Sequence, residues 1–178
     1  MKLWVQRHAL AEKAPVGTGH GISDAARKLT DEGVRQAQLA ATMMRLRGAD
    51  PSIVLTDTTA RCLATAQIMS KILGAPIQID ESLQPNEDLS GWLSRLAKKK
   101  PFKRPLVIGH HNNLVPALAD LGGFEDKSDI GDLEPGEIRK FKMDKDGGWS
   151  ERWRWQPPTM VAEPTGQQPL AAGVAKRS

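Results

Sequence analysis

Three histidines and two arginines in this chain of 178 residues fall where short apolar runs stop. Leu3-Trp4-Val5 leads into Arg7-His8. Ile53-Val54-Leu55 leads into Thr56-Asp57-Thr58-Thr59-Ala60-Arg61. Leu106-Val107-Ile108 leads into Gly109-His110-His111. Taken singly, each feature is ordinary: an Arg-His pair is usually surface, and a Gly-His after a strand is usually a hydrogen-bonded loop. At the carboxyl ends of three strands of one parallel sheet they converge, because that edge is where open α/β sheets bind ligands. Arg61 also falls near a predicted helix start, where backbone N–H groups and the dipole favour an anion.

Arginine and histidine together suit phosphoryl transfer. A phosphate monoester is dianionic near neutral pH, and its transition state spreads charge over equatorial oxygens. The guanidinium fork binds such oxygens in pairs. One guanidinium–phosphate pair about 4 Å apart is worth about 4 kcal/mol per unit charge at an effective dielectric of about 20. A neutral imidazole is a competent nucleophile toward phosphorus, and much of it is neutral at pH 7.

The three apolar runs, with Ile77 and Ile79 in a fourth, have the short β-branched character of strands covered on both faces. Helical patterns separate them. The first helix runs from about Asp31 to Arg47, with Thr30 as N-cap, Asp31 and Glu32 at its positive end, and Val34, Ala37, Ala41 and Met44 as its stripe. The second follows Thr58-Thr59, carries Thr65, Ile68, Met69 and Ile72, and stops at Gly74 and Pro76. The third spans about Glu87 to Lys99, with Leu89, Leu93 and Leu96 inward. The fourth begins near Asn112 or Asn113, carries Leu114, Leu118 and Leu121, and ends at Gly122-Gly123. Beyond it, Arg139, Phe141 and Met143 alternate with polar residues, as do Trp149, Trp153 and Trp155. Asp146-Gly147-Gly148 supplies a hairpin turn. The expected fold is a three-layer α/β/α sandwich with a mostly parallel sheet and a C-terminal antiparallel hairpin.

The domain is expected to span residues 1–157. Residues 158–178, rich in Pro, Ala, Gly and Gln, read as a flexible tail that cannot bury enough surface to offset its ordering entropy. Truncation after Gln156 should therefore leave activity and stability nearly unchanged; a large fall in Tm would show that the segment packs.

Composition narrows the partners. Hydrophobic residues make up 39% and charged residues 26%. No apolar run approaches membrane-spanning length, and the N-terminal run is too short for a signal peptide. Cys62 is the only cysteine, which rules out an internal disulfide, and the four histidines lack an adjoining carboxylate or cysteine ligand pattern. Neither a metal nor a cofactor is expected. The net charge of +4 comes from scattered residues and from Lys98-Lys99-Lys100 at a helix end. No DNA-reading motif accompanies them, so neither nucleic acid nor membrane is an expected partner. A cytoplasmic monomer fits this composition.

Arg7-His8-Ala9 resembles the Arg-His-Gly signature of the histidine phosphatase superfamily, the phosphoglycerate-mutase-like proteins, with alanine for glycine. Thr56 to Ala66 is similar to that family's Ser-Ser-Pro-x-x-Arg-Ala-x-Gln-Thr-Ala segment and keeps Arg61, Thr65 and Ala66. Gly109-His110 matches its second histidine motif. Arg27-Lys28-Leu29-Thr30 followed by Gly33 resembles the Arg-Pro-Leu-Thr-x-x-Gly stretch of SixA-type phosphohistidine phosphatases. The resemblance covers residues 1 to 157. It implies His8 as the nucleophile that becomes phosphorylated, and Arg7, Arg61 and His110 as catalytic ligands of the phosphoryl group, with Arg27 as a further phosphate ligand. His111 reads as a helix-start residue, and His20, in Gly17-Thr18-Gly19-His20-Gly21, as a loop histidine.

Many members place a general-acid glutamate in a Leu-x-Glu motif after the third strand. Here Leu83-Gln84-Pro85 stands in its place, and proline has no proton to give. Glu87 and Asp88 read first as acids complementing a helix dipole, with Glu87 a secondary candidate for the acid. A missing acid matters most for alkoxide leaving groups. Phosphohistidine releases an imidazole, which can take its proton from water. The expected function is hydrolysis of a phosphorylated protein histidine. The alternatives are a small phosphate ester as substrate, making the chain a phosphomonoesterase, and a catalytically weak phosphate-binding module. The short chain argues against a mutase with an elaborate lid.

Overall fold

The computed structural model describes residues 1–13, 24–85, 87–99, 101–122 and 130–158. Six strands form one sheet: β1 (Lys2–Arg7), β2 (Ile53–Thr56), β3 (Ile77–Ile79), β4 (Pro105–Gly109), β5 (Ile138–Met143) and β6 (Trp149–Trp155). The helices are α1 (Asp31–Leu46), α2 (Ala60–Leu73), α3 (Leu89–Lys99) and α4 (His111–Gly122). The sheet order is β3-β2-β4-β1-β5-β6. The first four strands in the chain are mutually parallel, while β5 and β6 close the other edge as an antiparallel hairpin. The architecture is the expected three-layer α/β/α sandwich.

Strand alternation divides the core in two. Leu3, Val5, Leu55, Val107 and Phe141 pack with residues of α3 and α4 on one face. Trp4, Val54, Leu106, Ile108 and Ile138 pack with residues of α1 and α2 on the other. Neighbouring strands β1 and β4 are thus followed by helices on opposite faces. That divergence opens a crevice at their carboxyl ends, the edge where His8 and His110 emerge.

The start of α1 is pinned to the chain just after His8. Thr30 caps the helix by accepting from the Gly33 N–H at 3.0 Å. The Thr30 N–H donates to the Leu10 carbonyl at 3.0 Å. A Cβ on Gly33 would lie 2.0 Å from that same carbonyl oxygen. Gly33→Ala is therefore expected to destabilise the fold by about 1–3 kcal/mol through overpacking, a Tm loss of about 2–4 °C per kcal/mol. An unchanged melting curve would show that the Leu10 segment is not held against α1.

Several expectations need correction. Val34 is 36% exposed, and Ala40 fills the α1 stripe in its place. β3 is an edge strand with Ile79 41% exposed, so it is not covered on both faces. Helix α3 begins at Leu89, after Asp88 accepts from the Ser90 N–H. The three hairpin tryptophans do not share a face. Arg152 is skipped in the β5–β6 register, a one-residue bulge opposite Lys140/Phe141. A bulge inverts strand parity, so Trp149 packs on the α3–α4 side while Trp153 and Trp155 pack on the α1–α2 side.

Pro157 is buried, and its ring would meet a Cβ on Gly136 at 2.9 Å. A test truncation therefore belongs after Pro158 rather than Gln156. The expected tail from 159 onward, and His20, lie outside the described residues. No described helix is long and apolar enough to cross a membrane.

Candidate active site

The parallel ladder between β1 and β4 continues one residue past β1, where the His8 N–H donates to the Gly109 carbonyl at 2.9 Å. This places His8 beside His110, with ring centroids 5.3 Å apart and an edge-on interplanar angle of 62°. Thr65 clamps the same corner from α2. Its hydroxyl donates to the Arg61 carbonyl at 2.7 Å and accepts from the Ala9 N–H at 3.2 Å.

His8 is only 8% exposed. Its Nδ1 lies 2.8 Å from the Ala9 carbonyl oxygen. A carbonyl can only accept, so Nδ1 carries the proton and Nε2 carries the lone pair. Burial, partly opposed by the Ala9 bond and reinforced by His110, Arg61 and Arg7, holds the imidazole down at about 3. His8 is thus neutral across the physiological range, in one tautomer, with a nucleophilic nitrogen unprotonated.

His110, 4% exposed, is held at both nitrogens. Its Nε2 lies 2.5 Å from Asp57 Oδ2, and its Nδ1 lies 3.2 Å from a terminal nitrogen of Arg61. Arginine only donates, so Nδ1 accepts and the Nε2 proton goes to Asp57. Asp57 is fully buried. Its other oxygen accepts from the Thr59 N–H at 2.8 Å and the Thr59 hydroxyl at 2.6 Å. Burial alone would raise the Asp57 carboxyl, but the bonds from His110 and Thr59 outweigh it and leave it below its ordinary value.

Arg61 and Arg27 meet at Asp24. Arg61 donates to the Asp24 carbonyl at 2.6 Å and its carboxylate at 2.8 Å. Arg27 contacts the other carboxylate oxygen at 2.6 Å and donates to the Glu12 carbonyl at 2.8 Å. Arg7 donates to the Leu133 carbonyl at 2.7 Å. Among the described residues, the buried Nε atoms of Arg7 and Arg61 have no partner. The structure therefore links His8, His110 and Arg61 directly, adds Arg27 through Asp24, and sets Arg7 beside His8 with its tip on the 130–137 segment. His111 reaches the same Leu133 carbonyl that accepts from Arg7, at 3.3 Å.

Sequence reasoning missed Asp57, Asp24 and Cys62. Asp57 follows a strand and reads as a turn residue; only the fold brings it to His110. Asp57, Cys62 and His110 offer donor atoms within 4.8 Å of one another. They fit a metal poorly. The 2.5 Å Asp57–His110 contact is shorter than the separation of about 3.3 Å between two N/O donors on one tetrahedral zinc. The Cys62 thiol is pushed far up by burial and then by Asp57, so it stays protonated.

The neutral His8 has a consequence for stability. In the unfolded chain its imidazole titrates at about 6.5. Between that value and about 3, the unfolded chain binds a proton that the folded one does not. Stability contributed by His8 is complete above the unfolded value and falls as the pH drops through this window, by up to about 1.4 kcal/mol per pH unit. His8→Asn should therefore flatten the acid limb of stability measured by urea unfolding between pH 7 and 4.5. Parallel limbs for wild type and variant would show that His8 is not held neutral.

The comparisons agree with this fold. The sequence profile of the histidine phosphatase superfamily (branch 1) matches residues 3–87, which include Arg7, His8, Arg27 and Arg61. A protein from Agrobacterium tumefaciens assigned as the phosphohistidine phosphatase SixA superposes with a TM-score of 0.74 at 22% identity, covering 88% of this chain and 98% of its own. A protein histidine phosphatase SixA complexed with tungstate gives 0.71 at 22% identity, covering 86% and 96%. A mycobacterial glucosyl-3-phosphoglycerate phosphatase gives 0.64 at 14%, covering 84% and 96%. No curated protein matches the sequence. The chain has the fold of the histidine phosphatase superfamily. Fold, profile match and clustered polar residues together support a hydrolase acting on phosphate esters.

Proposed function

We propose that this protein is a phosphohistidine phosphatase that passes the phosphoryl group through His8. The observation that carries the reading is the state of His8: neutral, its Nδ1 proton committed to Ala9, its Nε2 lone pair available beside His110 and Arg61. In the first step the Nε2 lone pair forms a bond to phosphorus as the bond to the leaving group breaks, and that electron pair departs with the leaving group. Water then attacks phosphorus as the P–Nε2 bond breaks; that electron pair returns to Nε2, the water's proton leaves with the phosphate or to solvent, and His8 regains its resting form. Arg7, Arg61, Arg27 and His110 hold the phosphoryl oxygens, with Arg27 and Arg61 exchanging Asp24 for them. The donors of Arg7 and Arg61 without partners fit that role.

The choice of phosphohistidine over a sugar phosphate rests on the segment after β3. Pro85 has no proton to donate. The Gln84 side chain bonds Glu81, and Glu87 lies exposed beside a cavity of about 260 Å³ lined also by Pro85, Asp88, Asn112 and Asn113. The catalytic domain is proposed to span residues 1–157. The test is rapid quenching with labelled phosphohistidine protein, a sugar phosphate and p-nitrophenyl phosphate. The reading expects an acid-labile, base-stable label on His8 that accumulates with phosphohistidine protein. No label on His8 with any substrate refutes it. Labelling by the sugar phosphate alone favours the small-molecule phosphomonoesterase.

A further inference from the structure

We propose that Asp57 is a positioning residue that fixes the His110 tautomer and lets His110 take up a proton from solvent at Nδ1 when a dianion replaces it on Arg61. The inference rests on the phosphate-site reading above. It begins with a conflict in the hydrogen bonding. His110 Nδ1 accepts from Arg61, so it presents a lone pair toward the arginine expected to grip the phosphoryl group. A phosphoryl oxygen also brings only lone pairs. The two repel unless Nδ1 gains a proton and becomes a donor.

The surroundings of His110 decide whether that proton is affordable. Asp57 faces it from the turn between β2 and α2, Arg61 and Cys62 from α2, and His8 from the end of β1. Asn113 of α4 contributes only a neutral amide, accepting from the His110 backbone N–H. Arg61 opposes a second positive charge, and Cys62 and His8 are neutral. Among the described residues, Asp57 is the one anion in direct contact, and it is buried with its remaining oxygen already filled by Thr59. A neutral acceptor would fix the tautomer equally well. A carboxylate adds something further, since a buried imidazolium is tolerated only when paired. The bound dianion supplies the rest of the compensation. His8 cannot serve as the proton acceptor in its place, because its proton is already on Nδ1 and its burial disfavours a second. The same division of labour, with a carboxylate on the far nitrogen stabilising an imidazolium that forms only during the reaction, operates in catalytic triads.

Tungstate is the probe, because it stays dianionic at pH 8 and cannot bring the proton itself. Calorimetric titration of wild-type protein in buffers of differing ionisation enthalpy should register uptake of about one proton per tungstate bound. Asp57→Asn keeps the shape and an acceptor but loses the charge. It should bind tungstate with little proton uptake, at an affinity at least about 10-fold weaker, and lower kcat by about 10²–10³-fold. A variant that fails to fold leaves a second measurement: in ¹⁵N-histidine wild-type protein, the His110 Nδ1 shift should move from the unprotonated to the protonated range on adding tungstate. Tungstate binding by wild type without proton uptake, an Nδ1 shift that stays unprotonated, or proton uptake unchanged in Asp57→Asn overturns the proposal. Trapping of phosphate on His8 is read separately. Proton uptake without any His8 phosphoenzyme would support this inference while refuting the phosphatase mechanism.

Discussion

His8→Ala removes phosphate release while leaving anion binding close to wild type. The expected loss in kcat is at least about 10⁴-fold, because the variant has no nucleophile to divide the reaction into two steps. Binding should survive because the proposed oxyanion ligands lie elsewhere. Arg61 is anchored by Asp24 and His110, Arg7 by the Leu133 carbonyl, and His110 by Asp57. None of these contacts uses the His8 ring. The alanine leaves a small void at a nearly buried position, so a control for folding is needed, and His8→Asn serves. Tungstate affinity within about threefold of wild type, together with lost turnover, separates a chemical role from a binding role. Turnover near wild type in both variants would remove His8 as nucleophile.

The sheet was legible because each buried strand is a short apolar run, and each run was bounded by turn residues or helical pattern. The position of the candidate site followed from the same runs, since residues just past parallel strands must share an edge. Errors arose where local pattern and tertiary packing part. Val34 has the right spacing for the α1 stripe, yet Ala40 is buried instead because α1 lies close against α2, where a small residue fits. Trp149 looked like a partner of Trp153 and Trp155 until a single bulged residue, Arg152, reversed the face.

Polar contacts within the site were less legible. Arg7, His8, Arg61 and His110 carry side chains whose chemistry announces itself. Asp57 and Asp24 look like any aspartates in a turn and at a short helical segment. Their significance lies in pairings with His110, 53 residues away, and with Arg61, 37 residues away. Arg139 is a similar case. It lies on the alternating face expected for it, but it is 1% exposed, paired with Glu137, and donates to the Ile130 and Asp132 carbonyls. It thereby braces the segment whose Leu133 carbonyl holds Arg7. Thr65 and Gly33 could be recognised from the family's pattern. Their reasons, a clamp on Ala9 and a close approach to the Leu10 carbonyl, required the fold.

Substrate preference should follow the leaving group, with phosphohistidine and aryl phosphates cleaved far faster than alkyl or sugar phosphates. The cause is the chain after β3. Leu83 is fully buried and Pro85 occupies the turn that follows, so neither offers a proton. Gln84 is tied to Glu81. Asp88 is committed to the start of α3. Glu87 remains as a candidate, but it is exposed at the rim, outside the buried cluster of His8, His110 and Arg61. Losing general-acid help typically costs about 10²–10⁴-fold. An alkoxide bears that cost in full, because it departs only with a proton. A phenolate departs without one, and an imidazole can be protonated by solvent on its other nitrogen before it leaves. The ratio of kcat/KM between aryl and alkyl phosphates should therefore be at least about 10²-fold, and Glu87→Gln should change phosphohistidine hydrolysis by less than about twofold. Efficient sugar-phosphate cleavage that collapses in Glu87→Gln would identify Glu87 as the acid. The chain would then be a small-molecule phosphomonoesterase, with Glu87 swinging in from the exposed rim to protonate the departing alkoxide.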